Sequence, residues 1–252
     1  MIYEVHRKVN NNVGDFYCNP SRYFNFDNCT SGELMHNKFP VTDKTVLIGG
    51  GGLIHKKFQL HIQNIINKDP KHTVLWGIGH NFGKKHVSKV GGDVYYPDWI
   101  KKCSLVGIRD WIDGYHNYYL PCVTCMHPAF NKQYKTIHDV VYFTHAFKSR
   151  YEYRDNDIHM KNNEMNFEKV ISFLASGDTV ITDSYHGVYW AQLLGKRVKT
   201  VSWSVKFNHM KHQPKFIDNI YDTDSTAPLT PDGFLDECKY LNKNFFQRFL
   251  NL

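Results

Sequence analysis

The side chains best suited to chemistry lie in one short polar stretch, Asp183-Ser-Tyr-His186. The apolar run Thr179–Thr182 precedes this stretch, and Gly187 follows it at the start of a pattern typical of a helix. Backbone N–H groups at a helix start attract phosphate or carboxylate groups, and the imidazole of His186 can transfer a proton. The stretch therefore indicates an anion site with a proton-transfer group, while the polar turn of an ordinary βαβ unit would share its composition.

Other apolar runs also end in polar or glycine-rich segments. Thr45–Ile48 runs into four glycines, Thr73–Ile78 into Gly79 and His80, Cys103–Ile108 into Arg109, and Val140–Thr144 into His145. Because ligands bind at the carboxyl edge of an open parallel sheet, we expect these ends to face one cleft. Arg109 could hold a phosphate or carboxylate in two-point geometry, or could form a salt bridge with a nearby aspartate.

Strand-like runs alternate with helical spacing along the chain. Apolar positions recur with a helical period in Leu53–Asn67, Met165–Leu174 and Phe234–Leu252. The alternation predicts an α/β fold of parallel sheets with helices on both faces. A polar segment at 131–137 separates two α/β sets, so we predict an N-terminal domain at 1–132 and a C-terminal domain, with a terminal helix, at 133–252.

Composition narrows the class of partner. The formal net charge of +7 favours anionic ligands, but the chain lacks a dense Lys/Arg run and nucleic acid is not expected. Cys122 and Cys125 form one CxxC pair without a second, so no metal site is predicted. The N-terminus lacks a signal-peptide core and no apolar run is long enough to span a bilayer, which predicts a cytoplasmic protein without a transmembrane segment.

Taken in order, these motifs resemble the polysaccharide pyruvyl transferase family over roughly residues 9–205. The segments that carry the resemblance are Asn12-Val-Gly-Asp15, Gly49–Gly52, Trp76-Gly-Ile-Gly79, Gly107-Ile-Arg-Asp110, Thr182-Asp-Ser-Tyr-His-Gly187 and Leu194-Gly195. The resemblance implies two Rossmann-like doubly wound domains in a compact glycosyltransferase-B-type arrangement. It also implies transfer of a pyruvyl group from phosphoenolpyruvate to a sugar of a surface polysaccharide or glycoconjugate, with no cofactor.

The resemblance points to Arg109 and His186 as donor-site residues, and Asp15 and the glycines would line the cleft on the first domain. The N-terminal domain would be the acceptor side and the C-terminal domain the donor side. Asp15 and His186 are the catalytic candidates: His186 would protonate the donor or hold its phosphate, and Asp15 or a histidine would be the base. The substrate-binding candidates are Asn12, Gly50, Gly51, His80, Arg109, His145, Asp183, Ser184, Tyr185, Gly187 and Lys206.

This chain departs from the family in the late motif. Family members often carry Arg-Leu-His where this sequence has Ser184-Tyr185-His186. One expected cation is therefore missing. Either Lys206, Arg197 or His209 replaces it, or the donor is different.

Three functions follow from these patterns. The leading one is pyruvyl transfer from a small anionic donor to a saccharide acceptor; a lipid-linked acceptor would bring the protein to a membrane surface. A glycosyltransferase that uses a nucleotide sugar would suit the same architecture and basic cleft. A non-catalytic glycan-binding protein would account for the aromatic content of 15%.

Overall fold

A computed structural model describes residues 1–36, 41–82, 96–149, 151–222 and 226–252. Within these residues the chain forms two separate sheets, one of six strands and one of five. Every pair of neighbouring strands runs parallel. The predicted α/β fold with parallel sheets is therefore confirmed.

The first sheet has the strand order β2-β1-β3-β5-β4, and β6 also pairs with β5. Its strands are β1 (Ile2–His6), β2 (Cys29–Glu33), β3 (Thr45–Ile48), β4 (Gly51–Ile54), β5 (His72–His80) and β6 (Leu105–Ile108). The described residues of this half form the α-helices α1 (Val13–Tyr17) and α2 (Lys56–Ile66).

The glycine run departs from the expected turn. β3 and β4 pair with successive parts of β5, and Gly49 and Gly50 lie between them. A Cβ at Gly50 would lie 3.1 Å from the carbonyl oxygen of Cys18, and 3.3 Å from that of Gly77. The glycines therefore let the backbone pass closely beside its neighbours, and the helix expected from Leu53 begins only at Lys56.

The second sheet has the order β11-β10-β9-β7-β8. Its strands are β7 (His138–Thr144), β8 (His159–Lys161), β9 (Gly177–Thr182), β10 (Arg197–Thr200) and β11 (Lys215–Phe216). Helices α3 (Phe167–Ser176) and α4 (Tyr185–Leu193) belong to this half, and all nine residues of α4 are buried. The segment that carries the polar stretch is thus packed on every side, which fixes the side chains at its N-terminus.

The last helix, α5 (Phe234–Leu250), packs against the first sheet although it follows the second in sequence. Phe245 and Phe249 belong to the apolar cluster of Trp76, and Trp76 Nε1 donates a hydrogen bond to Asn242 Oδ1 at 2.9 Å. In the opposite sense, Val13 of α1 belongs to the apolar core around α3 and α4. Each half of the chain therefore contributes a helix to the core of the other.

Candidate functional site

A cavity of about 320 Å³ is lined by residues from both halves of the chain. Its walls come from the segments that follow β1, β5, β6, β7, β8, β9 and β10, together with α1 and parts of β4 and α2. Eight predicted site residues line it, namely Asn12, Asp15, Arg109, His145, Ser184, Tyr185, His186 and Lys206. Segments that follow strands of both halves meet at this cavity, with His145 and His186 in its lining but not His80.

Several lining residues were missed by the sequence patterns. Arg7 directly follows β1, Asn81 directly follows β5, and Lys148 lies four residues beyond the end of β7. Asn162 follows β8 in the same way. The strand-end rule that selected Arg109 would also have selected Arg7, had the N-terminal apolar run been taken as a strand.

Two of the predicted binding residues lie outside the lining because other groups engage them. The backbone N–H and the Nδ1 atom of His80 each lie 2.7 Å from Asp110 Oδ2, in a buried pair. Asp183 Oδ1 accepts a hydrogen bond of 2.7 Å from the backbone N–H of His145. These two side chains hold neighbouring loops in place.

The remaining predicted residues outside the lining are glycines. Gly50 lies in the break between β3 and β4, and Gly51 has a φ of +109°, a conformation that favours glycine. A Cβ at Gly187 would overlap Thr182 and Phe143, so this glycine lets α4 pack closely on the second sheet. Gly52 is the glycine of this run that reaches the cavity.

Arg109 is the more deeply buried of the two arginines that line the cavity, with 3% of its surface exposed. Its guanidinium carbon lies 3.9 Å from the centre of the Tyr185 ring. Its Nε atom is buried and has no hydrogen-bond partner among the described residues. Arg109 Nε therefore keeps donor capacity that an anionic ligand could satisfy.

Two lysines extend the positive charge of the cavity. The Nζ atoms of Lys148 and Lys206 lie 3.9 Å and 4.1 Å, respectively, from the centre of the Trp203 ring. Burial, with Arg109 and Lys148 nearby, lowers the pKa of Lys206 well below its ordinary value. A bound anion would oppose this effect and favour the ammonium form.

The three cations considered from the sequence, Lys206, Arg197 and His209, lie in different places. Arg197 lies elsewhere, since its NH1 atom donates to the carbonyl oxygen of Ala227 at 2.8 Å. The His209 ring instead lies 6.1 Å from that of His80. Lys206 is the one of the three that lines the cavity.

Asp15 is the carboxyl group that lines the cavity, on α1. Burial raises its pKa, and Lys206, Arg109, Arg7 and Lys148 partly oppose that rise. Its Oδ2 atom accepts a hydrogen bond of 3.0 Å from Asn12 Nδ2. Asp15 therefore retains a proton more readily than an exposed aspartate does.

The pKa of His186 is shifted in the opposite direction to that of Asp15. Burial, followed by the charges of Arg109 and Lys206, lowers its pKa well below the ordinary value. With protein groups alone around it, the ring is neutral at neutral pH and cannot act as an imidazolium acid. The ring packs against Gly14, where an added Cβ would overlap it.

A second cavity of about 620 Å³ adjoins the first. The two share Phe147 and Lys148, and the second is also lined by Tyr151, Asp183 and Trp203. Its walls combine aromatic rings with polar groups.

Among the described residues, no group of three or more His, Cys, Asp or Glu side chains is arranged to hold a metal ion. Nor does any helix in the described part of the chain have the length and apolar character needed to cross a membrane.

Comparison with known proteins does not assign the chain to a family. No family model matches the chain, and no curated protein matches it. A crystal structure of a functionally uncharacterised protein from Klebsiella pneumoniae is similar, with 16% identity and a TM-score of 0.49. That similarity covers 86% of this chain and 93% of the other.

Proposed function

We propose that this protein is a pyruvyl transferase of the polysaccharide pyruvyl transferase type. Its donor would be phosphoenolpyruvate and its acceptor a sugar that presents two neighbouring hydroxyl groups. Its two sheets would be the centres of two Rossmann-like domains in a glycosyltransferase-B-type arrangement, with the donor bound between them.

The observation that carries the proposal is the combination of size and charge in the first cavity. A volume of about 320 Å³ is near the lower end of the range for ligand pockets, about 300–1,000 Å³. Arg7, Arg109, Lys148 and Lys206 supply cations against the carboxyl group of Asp15. A compact donor with a phosphate and a carboxylate suits this cavity better than a nucleotide sugar, which is several times larger than phosphoenolpyruvate.

The ionisation of the two catalytic candidates favours Asp15 rather than His186 as the acid, and leaves His186 the other role expected of it, which is to hold the phosphate. Burial raises the pKa of Asp15 and lowers that of His186, so Asp15 is the better acid of the two and His186 the better hydrogen-bond donor to an anion. Arg109 and Lys206 would stabilise the negative charge of the donor.

The proposed reaction joins two hydroxyl oxygens of the sugar to one carbon of phosphoenolpyruvate. Asp15 gives its proton to the methylene carbon of phosphoenolpyruvate, while one sugar hydroxyl oxygen bonds to the adjacent carbon. The bond between that carbon and the phosphate oxygen then breaks, and a second hydroxyl oxygen takes its place. One of the two hydroxyl protons returns to Asp15 and the other leaves with inorganic phosphate. The product is a ketal.

The adjoining cavity would hold the acceptor. Because it shares Phe147 and Lys148 with the donor cavity, a sugar there would lie beside the reacting carbon. Phosphoenolpyruvate is a metabolite of the cytoplasm, so we place the reaction in that compartment; a lipid-linked acceptor would bring the protein to a membrane surface.

The test is incubation of the protein with phosphoenolpyruvate and a panel of saccharides. We expect release of inorganic phosphate that depends on the acceptor, with a ketal methyl signal in the proton NMR spectrum of the product. Arg109→Ala should abolish both signals. The matched control is Arg154→Ala, because Arg154 also stacks on a tyrosine, Tyr221 at 3.9 Å, but is exposed and lies outside the cavity. Full activity of folded Arg109→Ala, or no phosphate release with any acceptor while a nucleotide sugar is consumed, would overturn the proposal.

A further inference from the structure

Behind His186 lies a row of three buried side chains that the proposed reaction does not use. Trp190 Nε1 donates to Thr124 Oγ1 at 2.9 Å, and Thr124 Oγ1 lies 3.4 Å from Cys122 Sγ. Cys122 Sγ in turn lies 3.6 Å from His186 Nε2. At most 1% of the surface of Trp190, Thr124 or Cys122 is exposed.

The direction of each hydrogen bond in this row follows from the first. An indole N–H can only donate, so Thr124 Oγ1 is the acceptor of that bond. The hydroxyl proton of Thr124 is then directed to Cys122 Sγ, the one further partner that Thr124 Oγ1 has among the described residues. Cys122 Sγ accepts this bond, and its own proton is left for Nε2 of His186.

Cys122 has a proton to give. Burial raises the pKa of its thiol, so the group stays protonated at neutral pH. An S–H donor facing Nε2 requires that nitrogen to be the acceptor, and in a neutral imidazole the other nitrogen then carries the hydrogen.

We propose that Cys122 is a positioning residue, which holds His186 as the Nδ1–H tautomer so that the ring presents an N–H donor to an anion in the cavity. Nδ1 makes no hydrogen bond within the described part of the chain, and His186 lines the cavity beside Asp15. The opposite tautomer would present a lone pair to the anion and repel it. The role in donor binding rests on the proposed function, whereas the tautomer does not.

The tautomer can be read directly from the intact protein labelled with ¹⁵N in its histidine rings. Correlation spectra that join ring nitrogens to carbon-bound protons distinguish the two tautomers, and comparison with His186→Gln assigns the signal among the 15 histidines. We expect Nδ1–H in the wild type. Cys122→Ala should shift the population towards Nε2–H. Cys122→Ser should restore Nδ1–H, because a serine hydroxyl can donate in place of the thiol.

The matched control is Cys125→Ala. Cys125 is a second buried cysteine, whose Sγ atom accepts a hydrogen bond from Asn242 Nδ2 at 3.5 Å rather than facing His186. Its variant should leave the His186 signal unchanged. An Nε2–H signal in the wild type, or a His186 signal that is identical in folded Cys122→Ala and wild type, would overturn the proposal.

Binding of inorganic phosphate adds a second readout. Loss of one hydrogen bond to a charged group should weaken phosphate binding by Cys122→Ala about tenfold, with Cys122→Ser close to the wild type. Equal phosphate affinity in Cys122→Ala and wild type would contradict the role of the tautomer. Neither readout needs turnover, so a protein with the Nδ1–H signature but no pyruvyl transfer would contradict the proposed function alone.

Discussion

At the scale of single residues, Arg109 carries the largest share of the proposed donor binding. Its guanidinium is buried on Tyr185, and its Nε atom lacks a partner among the described residues. We expect Arg109→Ala to lower kcat/KM for phosphoenolpyruvate at least about 100-fold, the equivalent of roughly 3 kcal/mol for a charge-assisted contact. Steady-state kinetics measure this loss. A decrease of only a few fold in the folded variant would show that the donor lies elsewhere.

A substitution at Gly14 tests whether the His186 ring packs against this glycine. An alanine Cβ at this helical position would overlap the imidazole, so we expect Gly14→Ala to displace the ring, abolish activity and destabilise the protein by about 1–3 kcal/mol. Adding His186→Ala removes the clash, and the double variant should recover most of the lost stability in urea unfolding. Additive effects of the two substitutions would contradict this contact.

The sequence predicted the site best where a polar or charged side chain directly follows a strand. Arg109 and His186 were found because each comes at a carboxyl end of a parallel strand or one short turn beyond it. Lys148 was missed since nothing local distinguishes a lysine in a loop four residues past β7. His80 was predicted as a ligand-binding residue because its partner, Asp110, lies 30 residues away and cannot be paired with it from sequence alone.

At the scale of elements, one buried polar residue, Asn242, adds hydrogen bonds to the apolar packing between α5 and the first sheet. Asn242 accepts from Trp76 Nε1 at 2.9 Å and donates to the carbonyl oxygen of Pro121 at 3.2 Å. We expect Asn242→Ala to lower the free energy of unfolding by about 2–4 kcal/mol, because it leaves two buried groups unpaired. Asn244→Ala, an exposed change in the same helix, is the control for helix propensity. Equal, small losses in both variants would show that the bridge contributes little.

The presence of α5 could be predicted from the sequence, but its position in the fold could not. Its helical period was visible and its bounds were close to those found, but periodicity does not say which sheet a helix covers. β4 was missed for a related reason. Glycines at Gly51 and Gly52 read as a turn, and only pairing with β5 makes them part of a strand.

At the scale of the whole molecule, buried histidines make stability depend on pH. Burial, with Lys8 and Arg22 nearby, lowers the pKa of His6 from 6.5 to about 4. Between these values the unfolded chain binds more protons than the folded one, so stability should fall as the pH drops through this window, by up to about 1.4 kcal/mol per pH unit for this group.

Paired variants isolate this contribution from the buried carboxyl groups Asp15 and Asp183, whose raised pKa values act in the opposite sense. We expect the unfolding free energy of His6→Gln to depend less steeply on pH between 4 and 6.5 than that of the wild type. His36→Gln, which changes an exposed histidine, should match the wild type. Parallel curves for His6→Gln and wild type would contradict the assignment.

The two sheets bring cations from both halves of the chain to one small cavity, and that convergence is the basis of the proposed donor. The most direct test is isothermal titration calorimetry with phosphoenolpyruvate beside a panel of nucleotide sugars, on the wild type, Arg109→Ala and the control Arg154→Ala. We predict saturable binding of phosphoenolpyruvate to the wild type and to Arg154→Ala, and its loss in Arg109→Ala. Binding of a nucleotide sugar with no response to phosphoenolpyruvate would contradict the account.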